Sequence, residues 1–155
     1  MKQWGLFLLM IIIGGMVACQ REPSSPYLLI IEDVDTGNKY IEQPVKIGDR
    51  LKLSWIHSVE HTPWEEIIEV QQDEQLHLIE TRFQSFGAGV PHESEGKLVY
   101  SDDFIIMTNL DRPYKKYSWI HSHYVQHELT LNNKKFVDTK LIPHHRRIIM
   151  YLEKR

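Results

Sequence analysis

From Tyr27 onward the apolar side chains of this 155-residue chain come in short runs, most clearly at every second position, and no segment after residue 19 sustains a capped helical period. Leu51, Leu53, Trp55, His57 and Val59 alternate with Lys52, Ser54, Ile56 and Ser58. A period of two sends the two sets to opposite faces of an extended chain, so one face is buried while the other meets water. Residues 27–34, 51–59, 64–71 and 76–83 are expected strands, followed by 104–108, 116–121, 125–131, 134–137 and 147–152. Asp35-Thr36-Gly37-Asn38, Asp73-Glu74 and Asn132-Asn133 supply the turns between them, which makes 51–83 a meander. A glycine-containing stretch over 86–91 interrupts the pattern, and one short helix is expected within 91–103. The expected fold class is all-β: an antiparallel β-sandwich or a small open barrel, one domain over 27–155.

The N-terminus obeys a different rule. Lys2 precedes an apolar run from Trp4 to Val17 without a charged residue. A membrane-spanning helix needs roughly 20 apolar residues. This shorter run, ending in Met16-Val17-Ala18-Cys19, has the anatomy of a cleaved secretory signal peptide over 1–18. Met-Val-Ala-Cys resembles the lipobox of bacterial lipoproteins, with Met16 where Leu is usual. That resemblance implies cleavage before Cys19, a lipid on its thiol, membrane lipid as the first partner, and an extracytoplasmic, membrane-anchored location. Acyl chains contribute roughly 0.8 kcal/mol per buried CH₂, enough for a diacyl group to anchor stably. Residues 19–26, polar and proline-rich after the cysteine, read as a short tether.

Cys19 is the only cysteine, so no disulfide can brace the domain. Cleavage at residue 18 would leave 137 residues, enough to bury a real core. Losing Lys2 with the signal peptide leaves 17 basic against 21 acidic residues, and the longest basic block is His144-His145-Arg146-Arg147. Nucleic acid is therefore not an expected partner.

Chemistry-bearing residues are densest between Trp55 and Glu66. Trp55, His57, Ser58, Glu60, His61 and Glu65 there, with Gly87, Gly89 and Pro91 in the glycine stretch and His127 later, form the expected binding or partner surface. A metal reading would take His57 and His61 with Glu65, or the odd-spaced His121, His123 and His127 on one strand face. The plainer reading makes His57 a satisfied histidine ending a core strand, with Glu60 and Glu65 bracing the hairpin. Arg146 or Arg147 is an expected partner for Glu65, in a loop otherwise solvated. The Gly87-Ala88-Gly89 step matches neither the dinucleotide pattern nor the P-loop, and no cofactor is expected. His57 and Ser58 are adjacent on a strand and face opposite ways, and no G-x-S-x-G elbow is present, so a hydrolase is the weakest reading. Glu60, Glu65, Glu66 and Glu69 lack the context that would fix a glycosidase pair.

Trp-x-His-Ser-Val-Glu with Glu65 after Pro63, Phe-Gly-Ala-Gly-Val-Pro over 86–91 and His127-x-Leu129-x-Leu131 together resemble the bacterial family called domain of unknown function 1850. The resemblance extends over most of 28–152 and becomes generic at the C-terminal strand. It implies no reaction. It does imply an association, since such proteins are similar to products encoded beside tripartite ATP-independent periplasmic (TRAP) transporters of the TAXI type. A non-enzymatic accessory to the permease or its solute receptor is the function it implies, with a small-ligand or divalent-metal module as the alternative.

Overall fold

The computed structural model describes residues 25–87 and 96–155. The expected signal peptide over 1–18, Cys19, Gly89 and Pro91 lie outside those residues. Eleven strands are described: β1 (Tyr27–Asp33), β2 (Lys39–Val45), β3 (Arg50–Ile56), β4 (Pro63–Val70), β5 (Leu76–Phe83), β6 (Lys97–Tyr100), β7 (Ile105–Tyr114), β8 (Tyr117–His121), β9 (Glu128–Leu131), β10 (Lys134–Lys135) and β11 (Arg146–Lys154). They form two antiparallel sheets, one in the order β2-β1-β11-β8 and one in the order β10-β9-β3-β4-β5-β7-β6. The architecture is the expected β-sandwich, and the barrel alternative is not realised.

Turn chemistry fixes the hairpins. Gly37 takes φ 71°, while the Asp33 carboxylate accepts the Asp35 and Thr36 amides at 2.8 and 3.1 Å. Asn132 and Asn133 are both left-handed, which suits the tight β9–β10 connection. The expected meander is β3-β4-β5.

Three expectations are corrected. The helix within 91–103 is contradicted at Lys97–Tyr100, which is an edge strand paired with β7. The segment 125–131 is not one strand: a 3₁₀ turn at His123–Val125 and left-handed Gln126 precede β9. Strand β2 was not expected, because Tyr40 and Ile41 are only half-buried and Pro44 obscures the pattern; as an edge strand it tolerates proline.

Leu29, Ile31, Val45, Ile148 and Met150 from the smaller sheet pack against Leu51, Leu53, Trp64, Ile68, Leu76 and Phe83 from the larger. A bulge near Ile79 shifts the register of β5, so Leu76 and Leu78 on one side of it and Thr81 and Phe83 on the other are all buried. The larger sheet thereby keeps its inner face buried along the whole of β5. The outer face of the larger sheet is charged: Arg50 pairs with Glu69, Lys52 with Glu65, and Arg82 with Glu80 and Glu65.

Candidate functional site

Strands β3, β4, β5 and β8 bring an aromatic wall to one end of the sandwich. Trp55 and Trp64 are cross-strand neighbours and stack with centroids 5.7 Å apart. His57 stacks on Trp64 at 5.6 Å, and Phe83 packs against Trp64 at 5.2 Å with Phe86 beyond it. From the facing sheet Trp119 approaches His127, whose ring also meets Trp55. A cleft of about 490 Å³ opens here, lined by Trp55, His57, Ser58, Trp64, Trp119 and His127 among others. Val59, Phe86, Ile120 and Tyr124, four of the large apolar residues left exposed, belong to the elements around it.

The β3–β4 connection is a compact loop. His57 N–H donates to Thr62 O at 2.8 Å and His61 N–H to His57 O at 2.9 Å, with His61 itself left-handed and exposed. His57 Nδ1 accepts the Glu60 N–H at 3.1 Å, which occupies a lone pair that a general base beside Ser58 would need. Gly87 belongs to the same surface. A methyl group there would collide with the Glu60 side chain, so glycine permits this close approach. Two motifs far apart in sequence are thus one surface.

The expected His57–His61–Glu65 metal set does not assemble. Glu65 is opposite Ser54 on the outer face, held by Lys52 at 3.0 Å and Arg82 at 3.4 Å, whereas His57 stacks on inward-facing Trp64. The Arg146 or Arg147 pairing with Glu65 is likewise overturned: Arg146 is 3.6 Å from Asp33, and Arg147 is 2.8 Å from Asp35. Both arginines open β11, a central strand of the smaller sheet, whereas Glu65 is on β4 of the larger one.

His121, His123 and His127 do not share a strand face, yet the structure gathers them. Ser122 caps the 3₁₀ turn and left-handed Gln126 turns the chain back, so that His127 stacks on His121 at 5.1 Å and His123 meets it edge-on at 5.5 Å. His144 adjoins His123 at 5.4 Å and stacks on His145 at 3.8 Å. Among the described residues no three His, Cys, Asp or Glu side chains form a set able to hold a metal ion. His123 Nε2 is bonded to Ile142 O at 2.8 Å, which directs that ring elsewhere.

Electrostatics set this end apart. Burial, reinforced by repulsion from His127 and His123, pulls His121 down to about 4; the Thr139 backbone offsets part of this from a position short of a full hydrogen bond. Burial likewise lowers His127. Glu66 is on the inner face beside Trp64 and accepts a hydrogen bond from the Tyr117 hydroxyl of the opposite sheet. Burial pushes its carboxyl up to about 7 against the smaller pulls of Arg112 and of the Trp64 indole, which is near the carboxyl but short of a full hydrogen bond. Six buried side-chain polar atoms among the described residues lack a hydrogen-bond partner, and four of them are here: Trp64 Nε1, Trp119 Nε1 and both nitrogens of His121. Native proteins rarely leave such groups unmatched.

A family model described as a domain of unknown function, DUF1850, matches residues 51–137. The chain belongs to the DUF1850 family. No curated protein and no solved structure matches it. The matched segment is narrower than the likeness read from the sequence. It runs from β3 to just beyond β10 and holds Trp55, His57, Ser58, Trp64, Trp119, His121 and His127, while His144 and His145 fall outside it. Trp64, Trp119 and Ser122 were not singled out from the sequence as site residues. Only the topology, which lays β8 across from β3 and β4, brings them to the cleft.

Proposed function

We propose that this DUF1850 protein is a non-enzymatic recognition module, anchored by a lipid on Cys19 at the extracytoplasmic face of a membrane, which captures a partner through the aromatic end of its sandwich. The supporting observation is the cleft walled by Trp55, Trp64 and Trp119, bordered by exposed Ile120. Aromatic side chains beside unmatched indole N–H groups suit protein recognition, since such residues dominate binding energy at interfaces. A larger hollow, about 660 Å³ on the outer face of the larger sheet, is a weaker candidate because Arg50, Glu69, Glu80 and Arg82 in its lining already take part in ion pairs. Against catalysis stands the His57 Nδ1 bond to the Glu60 amide beside Ser58.

The partner class comes from the family likeness: a TRAP transporter permease of the TAXI type or its solute receptor. Gentle crosslinking in the native host, affinity capture and mass spectrometry test it, with Cys19→Ala as the untethered control. Enrichment of a transport permease or receptor that falls with Cys19→Ala and with Trp55→Ala is the expected result. Capture of nothing above background, or equal capture by the Trp55→Ala protein, would remove the reading.

A further inference from the structure

Beside the aromatic cleft, and sharing Ser122 and His127 with it, is a second hollow of about 570 Å³. That size falls within the roughly 300–1,000 Å³ of small-molecule sites. His121 forms part of its wall, is 1 % exposed, and has no hydrogen-bond partner at either ring nitrogen. A neutral imidazole offers one N–H donor and one lone pair, so its complement must both donate and accept. Carboxylates only accept and ammonium groups only donate, whereas a hydroxyl does both from a single oxygen.

Charge narrows the choice further. Lys135 and Lys140 in the lining are balanced by Glu128 and Asp138, so no net charge selects an anion or a cation. Outside the histidines, the remaining polar groups are Ser122, Gln126 and Thr139, all uncharged and bifunctional, with the Thr139 hydroxyl already donating to His127 O. The stacked imidazoles of His121 and His127 add flat ring surface. Their depressed basicity keeps both rings uncharged at neutral pH.

We propose that this pocket binds a small neutral polyhydroxylated ligand of monosaccharide size, with His121 as its central hydrogen-bonding partner. Although the two hollows share Ser122 and His127, this proposal does not rest on partner capture through the aromatic cleft, and either can fail while the other stands.

The test is a titration of the mature protein, labelled with ¹⁵N at histidine, with D-glucose, D-galactose and N-acetyl-D-glucosamine in turn. Sodium acetate and ammonium chloride serve as charged comparators. At least one sugar should shift the His121 and His127 ring signals saturably while leaving His77, at the other end of the domain, unmoved. His121→Phe should weaken that affinity at least tenfold. Gln126→Ala, an exposed lining position, should weaken it several-fold and covers the case in which the His121→Phe protein fails to fold. Absence of any saturable sugar shift in the millimolar range, a response to acetate instead, or undiminished affinity in both variants would overturn the proposal.

Discussion

The two ends of this sandwich each bury a histidine, and they treat it in opposite ways. At the end where β5 begins, His77 is bonded to Asp111 at 2.5 Å through Nδ1 and to Asp73 at 2.9 Å through Nε2. Burial works against its charge, but the two carboxylates prevail and raise its pKa. At the aromatic end His121 is buried more deeply, neither nitrogen is matched, and its pKa is lowered. A histidine kept for stability is saturated by the protein. One left unsaturated inside a pocket lowers stability by the desolvation of its polar atoms and remains available to something that binds.

Predictions that would break or sharpen this contrast begin with Trp64, where the aromatic end merges with the core. Trp64→Ala should destabilise the domain by about 3–5 kcal/mol, read from denaturant unfolding. A loss below about 1 kcal/mol would mean that the stack is not part of the core.

Glu66 should give the next largest effect, through pH. Its carboxyl is raised to about 7, so the native state holds a proton that the unfolded chain releases above its ordinary 4.5. Stability from this group is present at acid pH and is lost as pH rises from 4.5 to about 7, by on the order of 3 kcal/mol. Glu66→Gln should remove that slope from the stability profile, and an unchanged profile would contradict the assignment.

His77→Phe follows, at about 1–2 kcal/mol, reduced from the full value of two charge-assisted bonds because Asp111 is largely exposed. The His77 term is fully present below its unfolded pKa near 6.5 and is lost as pH rises through its higher folded value. His121 carries the opposite sign, since its folded pKa is depressed. Its term is present above 6.5 and lost as pH falls towards 4. The two variants should therefore change the pH profile in different windows.

The smallest effect is expected from His121→Phe at neutral pH, within about 0.5 kcal/mol of the parent or slightly stabilising, because an apolar ring replaces two unmatched nitrogens. If both histidines proved equally important to folding, as read by melting temperature, the contrast between the ends would collapse.

Much of the fold was legible because alternation and turn chemistry act locally. The β3-β4-β5 meander follows from residues 51–83, and the β9–β10 hairpin from Asn132-Asn133. What a local pattern could not carry was the pairing of distant strands. Glu65 lies within a histidine-rich motif, yet strand alternation places it on the charged outer face, and only the β4–β5 register places Arg82 opposite it. The candidate surface was half legible: Trp55, His57, Ser58 and His127, grouped from the sequence, all line the cleft, whereas Trp119 joins them only because β8 forms the edge of the facing sheet. His121 and His127 come together through the left-handed turn at Gln126, which simple alternation does not foresee.

The most direct test of the aromatic end as a recognition surface is site-specific photo-crosslinking in the native membrane. A photoreactive residue would replace Ile120, exposed at the cleft, or Ile47, exposed in the loop before β3 at the opposite end of the domain. A discrete adduct from position 120 and none from position 47 is the predicted result. Equal adducts from both positions, or none from either, would contradict the account.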